Sequence, residues 1–239
     1  MPIIQDLSTY AAAIAPVINA VHVNVHASAR QAVAAHAEST GLTPGLLLDL
    51  RYVLPLRPLT RRELSAVYRY GTAAELDTEI REHLGQSALA EAGDGTLRIT
   101  ARGLAFVDGL YAAHADATRR IWAAHDLRPL ADLAGRVLDR AGRDPGGALE
   151  VMAPPYEPAG TPVGVLLFNR VAALRYHRAD AHAAAWQAAG LTAGTVVDLQ
   201  PGPVRDAIED DTNHRAARAY GRLTDHERET LFEGLLTLV

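Results

Sequence analysis

The chain has 239 residues and a net charge of −5, enough length for one large domain or two small ones around a real core. It contains no cysteine, which removes disulfides, thiolate nucleophiles and Cys-based zinc sites together. All 23 basic residues are arginine, and the acidic balance differs from the basic face that a dedicated nucleic-acid binder carries.

Aromatic residues make up only 5% of the chain while alanine is abundant, which favours close-packed helices over a broad sheet. The start, MPIIQDLSTYAAAIAPVINAV, has no basic n-region and an early Asp6, so no signal peptide is expected. No apolar run approaches the length of a membrane span. A cytoplasmic protein without membrane contact is the expectation.

Residues 8–39 are predicted helical with a break near Pro16, and Val17, Val21, Val25 and Val33 form the apolar positions. The stretch from Val21 to His26 also alternates at period two, but its alanine-rich flanks favour helix. A turn follows at Gly41–Gly45. Thr60-Arg61-Arg62-Glu63 and Thr72-Ala73-Ala74-Glu75 are capping boxes that open two short helices around Gly71. Gly93-Asp94-Gly95 between Leu89 and Thr96-Leu97-Arg98-Ile99 is a hairpin signal. Helix, turn, helix and hairpin are the order of a winged helix. The segment Leu97-Arg98-Ile99-Thr100-Ala101-Arg102-Gly103 is similar to the end of the wing in MarR-like proteins.

After Gly103 a long helix carries Leu104, Val107, Leu110, Ala117 and Ile121 on one stripe, a pattern that pairs subunits and implies a homodimer. A further helix is predicted over 130–141. The stretch 142–162 is rich in proline and glycine and reads as a linker. Helices over 163–189, 203–219 and 225–238 complete the chain, the last opened by the capping box Thr224–Glu227. The expected organisation is an N-terminal helical region (1–57), a winged-helix unit (58–111), a helical pair (112–141), the linker (142–162) and a C-terminal helical region (163–239). The fold class is mainly α with a small hairpin wing.

The densest polar cluster is Leu174-Arg175-Tyr176-His177-Arg178-Ala179-Asp180-Ala181-His182, inside an otherwise apolar helix. With Ala188-Ala189-Gly190-Leu191 after it, this segment resembles the HRGDGH-type stretch of the SCO6745-like helix-turn-helix family. Arg175, His177, Arg178, Asp180 and His182 match that pattern, while Ala179 and Ala181 replace its glycines. His22 aligns with an early-helix histidine of that family. The resemblance implies site residues and no particular reaction.

On a straight helix His177 and Asp180 lie one turn apart, and so do Arg178 and His182. His177 and His182 are about 140° apart around the axis and cannot share one ion. Two arrangements follow. One is an Asp180–His177 pair acting as acid–base machinery; the other is a face of Arg175, Arg178 and His182, with Tyr176 beside it, that suits an anion. A divalent metal would need further ligands, drawn from His22 and His26 together with His177 or His182. The competing reading is a solvated face or an internal ion-pair network, with His22 and His26 as packing or surface histidines. Asn213 and His214 read as a solvated face, and Trp122 and Trp186 as core anchors.

The second helix of the winged unit carries Glu75, Asp77, Glu79 and Glu82 against Arg81 alone, which phosphates repel. Arg61, Arg62, Arg81 and Arg98 are the only DNA contacts it suggests. The expected function is therefore a winged-helix protein binding a small-molecule ligand or metal at a His/Asp/Arg pocket. A MarR-like dimeric, ligand-responsive transcription regulator is the alternative, and a structural or interaction module the second alternative.

Overall fold

The computed structural model describes residues 6–239. Among the described residues the chain is mainly helical, with eleven α-helices and one antiparallel two-stranded hairpin. Helix α1 (Leu7–Thr40) starts where the Asp6 carboxylate accepts from the Thr9 N–H and stops at Gly41, whose φ of 64° is open to glycine. The predicted break at Pro16 does not occur: α1 is continuous through it. Proline removes one internal N–H bond, but Ile14, Val17 and Ile18 are all buried around it, and that packing holds the helix together.

Helix α2 (Gly45–Asp49) is followed by α3 (Arg61–Val67) and α4 (Ala73–Gly85), both opened by the predicted capping boxes. Strands β1 (Leu89–Glu91) and β2 (Leu97–Ile99) pair in the register Leu89↔Ile99, and Leu59 bridges Leu97 on the other side. Helices α5 (Ala101–Ile121) and α6 (Arg128–Arg140) follow. The stripe expected to pair subunits is used within the chain. Val107, Leu110 and Ala117 are buried in a helix that packs along α1, so it gives no support to a dimer.

The stretch 142–162 also differs from expectation. It folds into α7 (Ala148–Met152), whose Leu149 and Met152 are fully buried. Proline and glycine shape its turns, but its apolar residues make it part of the core. Helix α8 (Val163–Ala188) crosses the middle of the molecule and buries residues on every side. The short α9 (Ala193–Val197), α10 (Pro203–Ala217), a 3-10 turn (Arg218–Tyr220) and α11 (Asp225–Leu236) close the fold. One apolar cluster joins the first half of α1 to α6, α8 and α11, and another joins its second half to α2, the hairpin and α5.

Candidate functional site

Because α8 is enclosed on all sides, its polar segment is not a solvated face. His177 and Asp180 are 8% and 6% exposed, and burying such groups is costly unless they are partnered. The predicted Asp180–His177 pair is replaced by separate partners. The Asp180 carboxylate accepts from the backbone N–H groups of Ala148 and Leu149, each at 2.8 Å, and pairs with the Arg69 guanidinium. It caps α7 from a distance, and a Cβ on Gly147 would stand 2.8 Å from its Oδ2, so only glycine fits there. Asp180 is thus a structural tie among α3–α4, α7 and α8, and not a catalytic group. His177 instead donates from Nε2 to the Ala216 carbonyl at 3.2 Å, which leaves Nδ1 as its basic nitrogen. Burial pushes its pKa down, against smaller opposing effects of the Ala216 hydrogen bond and nearby acids, so the ring is a neutral base.

Arg175, His177, Arg178 and His182 line one cavity of about 430 Å³. Its opposite walls are α1 (Ala11, Ala15, Asn19) and α10 (Glu209, Ala216), with Tyr70 and Tyr220 at the sides. A polar chain runs along one wall. The Trp186 indole N–H donates to the Tyr70 hydroxyl at 3.3 Å, and that oxygen lies 2.8 Å from His182 Nδ1. His182 Nε2 faces Glu209 Oε1 at 3.8 Å. Arg178 donates to Glu209 at 3.1 Å and to Asn213 at 2.9 Å, so Asn213 is part of this network and not the solvated residue expected. Burial lowers the His182 pKa while Glu209 pulls it back.

Arg175 is also a wall of a second cavity, of about 550 Å³, lined by His22, His26, Arg30, Asp49 and the apolar Leu48 and Pro44. Arg175 donates to His22 Nδ1 at 3.0 Å; arginine has no acceptor, so this nitrogen carries a lone pair and the ring is neutral. Burial and then the Arg175 charge hold the His22 pKa far below its usual value, and burial and the Arg51 charge bring His26 to about 3. The two rings stand 4.5 Å apart, one helical turn from each other as predicted, and both pack on Phe168.

The four histidines considered as metal ligands are therefore divided, His22 and His26 on one side of Arg175 and His177 and His182 on the other. Among the described residues no group of three or more His, Asp or Glu stands close enough to hold a metal. The guanidiniums beside His22 and His26 add a further penalty for a cation. Tyr176 is not at the first cavity. It packs toward the second apolar cluster, where burial pushes its pKa up to about 12. Of the DNA candidates, Arg61 is bound to Asp77 at 2.9 Å and Glu91 at 3.1 Å, Arg81 donates to the Asp77 carbonyl and Thr78 hydroxyl, and Arg62 and Arg98 are exposed.

Sequence reasoning missed Arg69, Tyr70, Glu209, Asp49, Arg51 and His114. A signal existed for three of them. Asp49 and Arg51 interrupt the apolar run from Leu46 to Leu54, and His114 stands between Leu110 and Ala117 on the buried stripe. Compared with family models, with curated proteins and with solved structures, the chain finds no match.

Proposed function

We propose that this chain is a winged-helix scaffold that binds a small anionic organic molecule in the cavity among α1, α8 and α10. The observation that carries this reading is that a helix buried on most sides brings Arg175, His177, Arg178 and His182 to one 430 Å³ space, within the size range of small-ligand sites. Arg175 supplies charge for an acidic group, Arg178 is held by Glu209 and Asn213, and the tyrosines supply polar partners for the rest. His177, held neutral by burial with Nδ1 as its basic nitrogen, is suited to take a proton from the bound molecule. The resemblance of this segment to the SCO6745-like family agrees with a site here.

The regulator reading has one feature in its favour: Tyr70, in the turn between α3 and α4, is part of the cavity wall. Against it, the exposed face of α4 bears Glu75, Asp77, Glu79 and Glu82, and Arg61 is already neutralised by acids. Such a surface opposes phosphate contact.

Thermal scans against a panel of small hydroxylated carboxylates and organic phosphates test the proposal. At least one compound should raise the melting temperature in a saturable way. His182→Gln and Arg178→Gln should each remove that shift, while H182Q, altered at a half-exposed ring, melts close to the parent without compound. No shift from any compound, or a shift that survives both substitutions, would overturn the reading.

A further inference from the structure

The second cavity has a charge balance unlike the rest of the protein. Arg175 and Arg30 line it, and Arg51 lies behind its wall, 4.4 Å over the Phe168 ring on which His22 and His26 pack. Arg51 is 1% exposed and donates only to the Leu48 carbonyl and to Asn169 Oδ1. Among the described residues none of these three arginines forms an ion pair, whereas most other buried or half-buried arginines do. The opposing charge is Asp49, which accepts from the Tyr68 hydroxyl at 3.1 Å, with the exposed Glu79 next outward. Burial pushes the Asp49 carboxyl up, while Tyr68 and the charges of Arg51 and Arg175 pull it back. A buried guanidinium without an ion pair is costly, and with Arg30 exposed at the rim three guanidiniums stand against one carboxylate around this space, a net positive field.

A second observation points to the same place. His114 is fully buried behind this wall. Its ring is tilted against Phe168 and stands 5.4 Å from the His26 ring, which has no hydrogen bond among the described residues and faces the cavity. The remaining lining, Val33, Ala34, Pro44 and Leu48, is apolar, and Val23 at the mouth is 52% exposed.

We infer that this second cavity is a binding site for a monocarboxylic acid with a compact apolar body. Its carboxylate meets Arg175, with Arg30 at the mouth, and its hydrocarbon part lies along Val33, Pro44 and Leu48. His26 is placed to donate a ring N–H to the same group. A dianion such as phosphate fits less well, because Asp49 shares the space and the lining has no further donors for it. An amine is repelled by all three arginines. The site is separate from the cavity of the proposed function, although Arg175 stands between the two.

Hexanoate, hexylamine and inorganic phosphate are the probes, read by the ring resonances of the histidines and by thermal melting of the full chain. The His22 and His26 resonances are identified with the H22Q and H26Q variants. Hexanoate should shift both resonances saturably and raise the melting temperature, and the other two probes should do neither. Arg30→Gln, on an exposed residue that leaves the fold intact, should weaken hexanoate about fivefold by removing one rim charge. R175Q should abolish binding, and H182Q should leave it unchanged. Absence of a saturable shift overturns the inference, as does an equal response to hexylamine or phosphate, or no weakening in R30Q. Loss of the hexanoate response in H182Q would place the ligand in the first cavity, which overturns this site while supporting the other.

Discussion

Asp180 and Arg175 lie five residues apart on one helix, yet their surroundings differ in kind. Around Asp180 every polar demand is met: two backbone N–H groups and a guanidinium converge on one carboxylate, and glycine at position 147 leaves the space. Around Arg175 the demands are left open. Among the described residues Arg175, Arg51 and Arg30 form no ion pair, His22 is held neutral, and His26 has no hydrogen bond and faces the cavity. The first arrangement ties distant segments together. The second costs stability in the free protein and has a use only if something else enters. The contrast separates polar residues that hold the fold from those available to a ligand, although both belong to the same unusual stretch of sequence.

The largest expected effect tests the saturated side. Asp180→Ala leaves Arg69 and two amide groups buried without an acceptor, and breaking a buried pair in this way costs about 3–5 kcal/mol. Urea unfolding of D180A should show that loss, and the milder Asp180→Asn change should lose only part of it, because an amide oxygen still accepts but carries no charge. A loss below about 1 kcal/mol would remove the contrast by showing that Asp180 does not tie the α3–α4 turn, α7 and α8 together.

These two environments were unequally legible in the sequence. Capping boxes at Thr60, Thr72 and Thr224 occupy four consecutive residues, so their geometry is written locally and the structure has each one. The polar strip on α8 was also visible, since charged residues in an alanine-rich helix stand out. Its partners were not. Arg69 and Asp180 are 111 positions apart, and nothing in the spacing of either announces the other. For that reason Asp180 was assigned to its helical neighbour His177, the only partner that periodicity could offer. The stretch 142–162 was misread for a related reason: turn residues mark where the chain bends, and only the tertiary packing of Leu149 and Met152 shows that it bends inside the core.

The open side is tested next, through pH. Burial holds the His114 pKa well below its usual value, whereas in the unfolded chain the ring takes a proton near pH 6.5. Below that pH the unfolded state binds more protons than the folded one, so stability falls as pH drops from about 6.5 and is fully present above it. Each such histidine contributes a slope of up to about 1.4 kcal/mol per pH unit. His114→Phe should remove one such contribution between pH 6 and pH 4. At pH 8 the cost should be much smaller, because phenylalanine keeps the ring contacts with His26 and Phe168. An unchanged acid slope in H114F would show that His114 is protonated in the folded protein and that its surroundings are not the open environment described.

The smallest effect concerns the boundary between the two environments, the chain from Trp186 through Tyr70 and His182 to Glu209. Indole N–H can only donate, so the Tyr70 oxygen accepts from Trp186 and its own proton is free to go to His182 Nδ1. Nε2 then carries the histidine proton and faces Glu209. Tyr70→Phe removes the hydroxyl at a residue that is 43% exposed, so water replaces much of what is lost and the stability change should be about 0.5 kcal/mol, at the low end for a hydrogen bond. The informative readout is the titration of His182 by NMR. A hydrogen bond donated to Nδ1 favours the neutral ring, so its loss in Y70F should move the midpoint upward. A downward move would mean that Nδ1 carries the proton and gives it to the tyrosine oxygen. Nε2 would then be the basic nitrogen, left facing the Glu209 carboxylate, and the directed chain along this wall of the cavity would not exist.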